Sequence, residues 1–309
     1  MAVQSAGMGK PARSTFFRWT ERRREYLAFL ILIFPNLTQL AVWTYWPFIN
    51  SIFISITDWN LLSPVHEIVG LNNYVALFQS PTFWQVMRNT VIFTVGSIFI
   101  RLGLSLALAV LLNQWLIARG FWRLIIFSPH ITTTAAMALV WSAMYDPNHG
   151  PIAAVLKLFG IQFPNVLANI QWVLPALMLV AIWKALGFST VIFLAALQGV
   201  DRELKDAAAV DGANMWQAFW HVSFPAISPV TYFLLITGLI DAFQTFDLVS
   251  VMTNGGPVNA SNLYVYYLYR ESFHYYRMGS ASAIAVIFFT IVMTMTYVQN
   301  RFASRWVHY

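Results

Sequence analysis

Polar side chains inside otherwise apolar segments are the residues of this chain best suited to binding chemistry. Asp241, Gln244 and Thr245 lie at i, i+3 and i+4 in one apolar run, and Asp247 follows shortly after. Residues at this spacing share one face of a helix, and a polar face within a membrane points away from lipid. The pattern therefore predicts a hydrogen-bonding lining for a hydroxylated or charged solute. Hydrogen bonds between helices, contributing about 0.6–2 kcal/mol each, are the alternative.

Two basic side chains also lie inside apolar runs, Arg101 in the run 90–112 and Lys184 in the run 172–197. A charge placed in hydrocarbon costs at least a few kcal/mol, so each must find a partner or reach water. Pairing with a neighbouring helix is the favoured interpretation for Arg101, with solute contact as the alternative. Lys184 is expected to extend its ammonium to water or to pack by its apolar stem.

Other kinds of site have little support in the sequence. The six histidines lie far apart without an H-x-x-x-H pair, and the chain has no cysteine, so no metal site is predicted. The one Gly-Lys pair, Gly9-Lys10, is followed by Pro11 and lacks the pattern of a phosphate-binding loop. We expect no catalytic residue, nucleotide site or cofactor in this chain.

The composition is that of a membrane protein. Hydrophobic residues make up 59% of the 309 residues and charged residues 10%, against about 45–50% and about 25% in soluble domains. A span needs about 20 apolar residues, so the chain accommodates six transmembrane helices. The apolar runs predict an all-α integral membrane fold with spans at 26–56, 90–112, 121–145, 172–197, 230–253 and 278–300.

The basic residues predict how the spans are oriented. Most lysines and arginines fall in the two terminal segments and in alternate connections, including 201–229. By the positive-inside rule these parts face the cytoplasm. The prediction is a cytoplasmic tail at 1–25, a membrane domain at 26–309, and turn-rich outer connections at 58–89, 146–171 and 254–277. Because the positive charge adjoins the ends of spans, the expected partner is membrane lipid and not nucleic acid.

The connection 201–229 is too regularly patterned to be a simple tether. Asp201 is predicted to cap a helix of good helix formers, and Gly212 to end that helix. Asn214 and Gln217 have the spacing of a capping box, which predicts a second helix. The prolines of this segment are expected to end the second helix. The connection is therefore a helix-turn-helix with a small-residue face that another surface can approach closely.

This segment resembles the EAA loop of ABC importer permeases, in which the loop is the coupling helix that contacts the ATPase. Asp206 stands where the family has Glu, which keeps the carboxylate but shortens its reach. The residues that carry the resemblance, and that it assigns to ATPase coupling, are Asp206, Ala207, Ala208, Asp211, Gly212, Ala213 and Pro225.

A second resemblance narrows the branch of the family. The Asn254-Gly255-Gly256-Pro257 segment and the aromatic stretch 264–273 are similar to the periplasmic part of permeases for maltose, other carbohydrates and glycerol 3-phosphate. Aligned on this segment, Gln244 and Thr245 fall where the maltose permease contacts its sugar. The resemblance thus places Gln244 and Thr245 on the solute pathway, to which the polar pattern adds Asp241 and Asp247.

The resemblance implies a type I ABC importer transmembrane domain in the bacterial cytoplasmic membrane. The chain would be the permease subunit of an ATP-driven, binding-protein-dependent importer for a carbohydrate, a polyol or glycerol phosphate. The implied partners are a second permease subunit, two cytoplasmic ATPase subunits that hold ATP and Mg, and a periplasmic or lipid-anchored solute-binding protein. The alternative is an ion-coupled secondary transporter of a small polar solute, in which Asp241 and Asp247 would titrate.

Overall fold

The computed structural model describes residues 21–63, 67–114 and 117–303. Residues 1–20 of the predicted tail lie outside these ranges, as do residues 304–309. Within them the chain is helical and contains no strand, only two isolated bridges that pair Thr57 with Ile68 and Asn60 with Arg277. The all-α fold expected from the sequence is confirmed.

The first of two compact units ends at Ser51. It contains helix α1 (Glu21–Leu40), a π-helical turn (Ala41–Tyr45) and most of helix α2 (Trp46–Ile54). The described side chains from 23 to 50 are almost all exposed although most are apolar, as expected for a helix that meets lipid or another subunit. Helix α1 already begins at Glu21, inside the predicted tail.

The second unit begins at Ile52 and contains the other helices. Two further π-helical turns lie at Phe219–Ser223 and Arg270–His274. The helices are α3 (Asn72–Gln79), α4 (Pro81–Asn113), α5 (Arg119–Ile131), α6 (Thr134–Met144), α7 (Pro151–Leu158), α8 (Val173–Gln198), α9 (Arg202–Val210), α10 (Met215–Ala218), α11 (Phe224–Ala226), α12 (Ser228–Phe243), α13 (Asp247–Met252), α14 (Tyr264–Tyr269) and α15 (Met278–Ala303).

Five apolar segments among the described residues are long enough to cross a membrane, and the α5–α6 pair supplies a sixth if its two helices form one span. The predicted span 121–145 is not one continuous helix, because α5 and α6 meet at an angle of 101°. Thr132 and Thr133 at the break are both extended, with ψ of 141°. Consecutive β-branched threonines have low helix propensity, and their hydroxyls compete for backbone hydrogen bonds.

Helices α4 and α8 form the centre of the second unit, with α5 and α12 packed against them. Phe193, Leu234 and Ile98 are fully buried at this centre. Gly187 of α8 lies directly against the backbone of α5. A Cβ at this position would overlap the Ile126 carbonyl oxygen and lie 2.7 Å from Phe127 Cα. The glycine therefore sets how closely α8 approaches α5.

Buried polar bonds hold the segment after α13 against α4. The Asn89 amide donates to the Asn259 carbonyl at 2.8 Å, and the Thr90 hydroxyl accepts from the Tyr264 backbone N–H at 3.0 Å. Tyr264, fully buried, donates its hydroxyl to the Ile284 carbonyl of α15 at 2.9 Å. The aromatic stretch that the sequence singled out thus begins inside the packing between α4 and α15, while its last residue, Phe273, is exposed.

Candidate functional site

A cavity of about 480 Å³ brings together side chains from α4, α5, α8 and the segment 241–248. All four residues predicted for the solute pathway line it: Asp241, Gln244, Thr245 and Asp247. Arg101 and Lys184 line the same cavity, although they are far from these residues in sequence. The remaining lining side chains are mostly apolar, among them Phe93 and Phe246.

The spacing of Asp241, Gln244 and Thr245 suggested that they lie on one continuous helix. The structure shows that they do not. Helix α12 ends at Phe243, and 244–246 connects it to α13. At the end of α12, the Thr245 N–H donates to the Ala242 carbonyl at 3.3 Å and the Thr245 hydroxyl donates to the Asp241 carbonyl at 3.4 Å. Polar residues with short side chains stabilise helix ends more than helix interiors. The predicted span 230–253 is therefore broken where it borders the cavity.

Arg101 is buried and approaches the backbone of α12. Its Nη2 donates to the Leu234 carbonyl oxygen at 3.5 Å, a long hydrogen bond, and its Nε has no partner. Gly238, one turn further along α12, makes room for the guanidinium, since a Cβ there would overlap Nη2. The predicted pairing with a neighbouring helix thus exists, but it is a weak contact with a backbone carbonyl and not an ion pair.

His130 is a cavity residue that the sequence did not single out. It lies in the last turn of α5, lines the cavity, and stacks on Phe188 with ring centroids 5.0 Å apart. An isolated histidine next to Pro129 carries no signal of this role. The bend between α5 and α6 follows it directly, so its position depends on a feature that hydropathy does not show.

The helix-turn-helix predicted at 201–229 is present in its first half. The Asp201 carboxylate caps α9 by accepting from the Glu203 N–H at 2.9 Å. Asn214 and Gln217 form the predicted capping box, with both bonds at 2.9 Å. Between the two helices Gly212 has φ of +81°, the left-handed region in which glycine is favoured.

The second half of the connection agrees with the prediction in part: Pro225 lies one residue before the end of the helical run that α10 begins, whereas Pro229 begins a new helix. After α10 the chain continues through the π-helical turn Phe219–Ser223 into α11. Pro225 lies in the first turn of α11, and Pro229 in the first turn of α12. Proline is favoured in a first turn, where its missing N–H has no partner to lose.

The connection 201–229 has an exposed surface that is apolar in part. A groove of about 350 Å³ is lined by Ala208, Asp211, Gly212 and Ala213, together with side chains of the second helix. Asp206 and Ala207 are exposed outside the groove, and Pro225 is half-buried. The large apolar side chains Val210, Met215 and Trp216 are 88%, 81% and 69% exposed. An apolar surface of this kind on a polar connection indicates a contact with another protein.

The segment that follows α14 carries two arginines around one tyrosine. Arg270 donates to the Asn259 side-chain oxygen at 2.8 Å and to the Tyr275 hydroxyl at 2.6 Å. The guanidinium carbons of Arg270 and Arg277 each lie 5.5 Å from the centroid of the Tyr275 ring. Arg277 also lies 3.8 Å from the buried carboxylate of Glu271. This arginine pair gives the surface positive charge.

Glu271 makes the stability of this segment depend on pH. Burial raises the pKa of its carboxyl, and the positive charges of Arg277 and Arg270 oppose the shift only in part. The folded protein therefore binds the proton more tightly than the unfolded chain does. The contribution of Glu271 to stability should be complete below its ordinary pKa of 4.5 and should be lost as pH rises through the raised pKa of the folded state.

We expect Glu271→Gln to flatten this dependence, since glutamine does not titrate. The measurement is the thermal unfolding midpoint of the purified protein in lipid nanodiscs across this pH range. Glu67→Gln, which changes an exposed glutamate in the connection 58–89, is the matched control. An unchanged slope in Glu271→Gln would show that other groups set the pH dependence.

Two comparisons with known proteins bear on this geometry. Residues 12–308 match the family described as binding-protein-dependent transport system inner membrane component. A bacterial alginate ABC transporter, solved with a periplasmic protein bound to an alginate pentasaccharide, contains a chain of the same fold. Its TM-score is 0.82 at 22% identity, over 93% of this chain and 97% of that one.

Among the described residues no group of three or more His, Asp or Glu is placed to hold a metal ion.

Two proteins that are similar in sequence agree with the family match. The sn-glycerol-3-phosphate transport system permease protein UgpA of Agrobacterium fabrum is 30% identical over 90% of this chain and 95% of its own length. The protein of that name from Yersinia pestis is 32% identical with the same coverage. The match to the family spans nearly the whole chain. This chain belongs to the binding-protein-dependent transport system inner membrane components, the permease subunits of ABC importers.

Proposed function

We propose that this permease imports a carbohydrate, a polyol or a glycerol phosphate, and that it converts ATP hydrolysis in partner subunits into alternating access of its cavity. The observation that carries the proposal is the cavity itself, which combines two carboxylates, an amide, three hydroxyls, an imidazole, a guanidinium and an ammonium with apolar and aromatic walls. Such a lining suits a small hydroxylated solute, because polar groups hold hydroxyls and aromatic faces hold carbon skeletons. The names of the UgpA relatives support the same choice of solute.

The cytoplasmic partners in this proposal are two ATPase subunits, which bind ATP and Mg. The helix-turn-helix at 201–229 docks into them and moves as a lever when they close. Asp206 pairs with a basic group of the ATPase, while Ala207 and Ala208 allow close approach of the two surfaces. The exposed side chains of Val210, Met215 and Trp216 support this docking, since they are otherwise left in water.

On the opposite side we propose contact with a solute-binding protein, periplasmic or lipid-anchored. This placement follows from the positive-inside rule, which puts both termini in the cytoplasm and 254–277 outside. The arginine pair Arg270 and Arg277 on this segment would bind carboxylates of the binding protein, because guanidinium groups form two hydrogen bonds with a carboxylate. A second, homologous permease subunit completes the membrane part.

The experiment that tests the proposal is uptake of labelled glycerol 3-phosphate, maltose or glycerol into cells that express the full transport system. ATP is depleted while the proton gradient is maintained. We expect uptake of the transported solute to stop. Uptake that continues without ATP, and stops when the proton gradient is collapsed, would instead favour the ion-coupled secondary transporter.

The cavity assignment predicts that Gln244→Ala and Thr245→Ala raise the transport KM. Each change removes a side chain that lines the cavity and could hydrogen-bond the solute. One such bond contributes about 0.5–1.5 kcal/mol, so KM should rise about 2- to 12-fold per variant. Thr237→Ala is the matched control, since its hydroxyl bonds the Phe233 carbonyl at 2.8 Å and does not line the cavity. Unchanged uptake in both cavity variants would place the solute elsewhere.

A further inference from the structure

We propose that the cavity holds an anionic group of its solute against Arg101, with Lys184 and His130 on the same lining. The solute is then a hydroxylated molecule with a phosphate or a carboxylate, and not a neutral sugar. This inference rests on the proposed function, because it takes the cavity to be the solute site. It goes further in naming the charge of the solute and the side chains that select it.

Arg101 is the group that requires a ligand. The residue is only 9% exposed, yet its one hydrogen bond to the described part of the chain is the long contact with the Leu234 carbonyl. Its Nε is buried and has no hydrogen-bond partner among the described residues. A buried cation with a weak neutral partner is costly, and an anion that supplies the missing bonds removes that cost. The planar guanidinium suits phosphate and carboxylate oxygens, which it can bind in pairs.

Neither carboxylate of the cavity lies close enough to Arg101 to form a direct ion pair among the described residues, although the charge of Asp241 attracts it. Asp241 and Asp247 are both exposed, so water solvates their charge. Among the described residues, neither forms an ion pair with Arg101 or Lys184. Lys184 and His130 are half-buried on α8 and α5, on the same lining as Arg101. Lys184 can add positive charge, and the His130 ring can donate a hydrogen bond to an anion.

The lining of the cavity supplies two kinds of polar group. The basic kind comes from α4, α5 and α8, and the other kind comes from 241–247, which carries Asp241, Gln244, Thr245 and Asp247. Carboxylates and amides accept and donate hydrogen bonds to hydroxyl groups, whereas they repel or only weakly bind an anion. A molecule with an anionic end and a hydroxylated end satisfies both kinds of group at once.

Three ligands that share a glycerol-like skeleton test whether the cavity selects an anionic group: glycerol 3-phosphate, glycerate and glycerol. Binding is measured by titration calorimetry on the purified complex of the permease with its partner subunits, without binding protein. We expect glycerol 3-phosphate or glycerate to bind and glycerol to bind much more weakly. Comparison of the two anions distinguishes phosphate from carboxylate.

Variants then test which side chains select the anion. Arg101→Gln should weaken anion binding by about 10- to 100-fold, as expected for loss of hydrogen bonds to a charged group. Lys184→Gln should weaken it less, and Arg101→Lys should restore part of the affinity. Lys157→Gln, which removes an exposed lysine of α7 away from the cavity, is the matched control and should bind as the wild type does.

Several results would overturn the proposal. Equal affinity for glycerol and glycerol 3-phosphate in the wild type would refute an anion site. If Arg101→Gln left anion binding unchanged, Arg101 would only pack against α12. If Lys157→Gln lost as much anion affinity as Arg101→Gln, the anion would be attracted by the general positive charge of the protein and not by the cavity. If Arg101→Gln does not assemble, Lys184→Gln must still lower the affinity for the anion without lowering that for glycerol.

The anion site and the proposed function fail in different ways. A complex whose ATP hydrolysis is stimulated by its loaded binding protein, but which shows no preference for the anions, would refute the anion site alone. A complex without any such stimulation would count against the importer function itself.

Discussion

Gly212→Asp should leave the transporter assembled but abolish transport and solute-stimulated ATP hydrolysis. Gly212 forms the corner between α9 and α10 with φ of +81°, and a Cβ added there would meet no atom within 4 Å. Aspartate tolerates the left-handed region better than most residues, so the corner can form at a cost of about 1–2 kcal/mol. The new carboxylate would project from the exposed surface beside Asp211. The defect therefore lies in the contact with the ATPase.

Gly160→Asp is the matched control for this prediction. Gly160 follows α7, has φ of +72°, and likewise has no atom within 4 Å of an added Cβ. The backbone strain is thus similar, but the residue lies in the connection 146–171 and not in the proposed ATPase contact at 201–229. We expect it to transport normally. Normal solute-stimulated ATP hydrolysis in an assembled Gly212→Asp complex would contradict the role of Gly212 in the ATPase contact. An equal loss of transport in Gly160→Asp would contradict it as well.

Gly187→Ala should strongly destabilise the membrane domain. The added Cβ would overlap the Ile126 carbonyl oxygen and press on the backbone of α5, which cannot rotate away as a side chain can. Overpacking of this kind costs about 1–3 kcal/mol, and occasionally more. Since Phe188 stacks on His130, displacement of α5 also disturbs the cavity. We expect a lower thermal unfolding midpoint in nanodiscs together with reduced uptake.

Gly103→Ala supplies the comparison for Gly187→Ala. It lies within α4, and a Cβ there would meet no atom within 4 Å. Alanine has a higher helix propensity than glycine by about 1 kcal/mol, so stability should stay the same or rise slightly. An unfolding midpoint for Gly187→Ala as high as that of Gly103→Ala would mean that the close contact between α8 and α5 is unimportant.

Features determined by neighbouring residues could be predicted from the sequence. The cap at Asp201, the turn at Gly212 and the capping box of Asn214 and Gln217 each depend on bonds within a few residues. The six apolar runs follow directly from hydropathy. Pro229 was misread because proline is compatible both with the end of one helix and with the first turn of the next, and local sequence does not decide between them.

Features that depend on packing between distant segments could not be predicted. Arg101, His130 and Lys184 come from three different helices, and only their arrangement around one cavity makes them a group. The breaks at 132–133 and 244–246 interrupt runs that are apolar enough to pass as continuous spans. Hydropathy measures whether a segment suits lipid, and it does not show where the helix bends within the segment.

The central claim is that this chain couples ATP hydrolysis in its partners to import through its cavity. The most direct test is the ATPase activity of the co-purified complex in nanodiscs, with its solute-binding protein and a panel of sugars, polyols and glycerol 3-phosphate. We expect the binding protein, loaded with one of these solutes, to stimulate hydrolysis. Failure of the chain to co-purify with any ATPase, or hydrolysis that no loaded binding protein stimulates, would contradict the account.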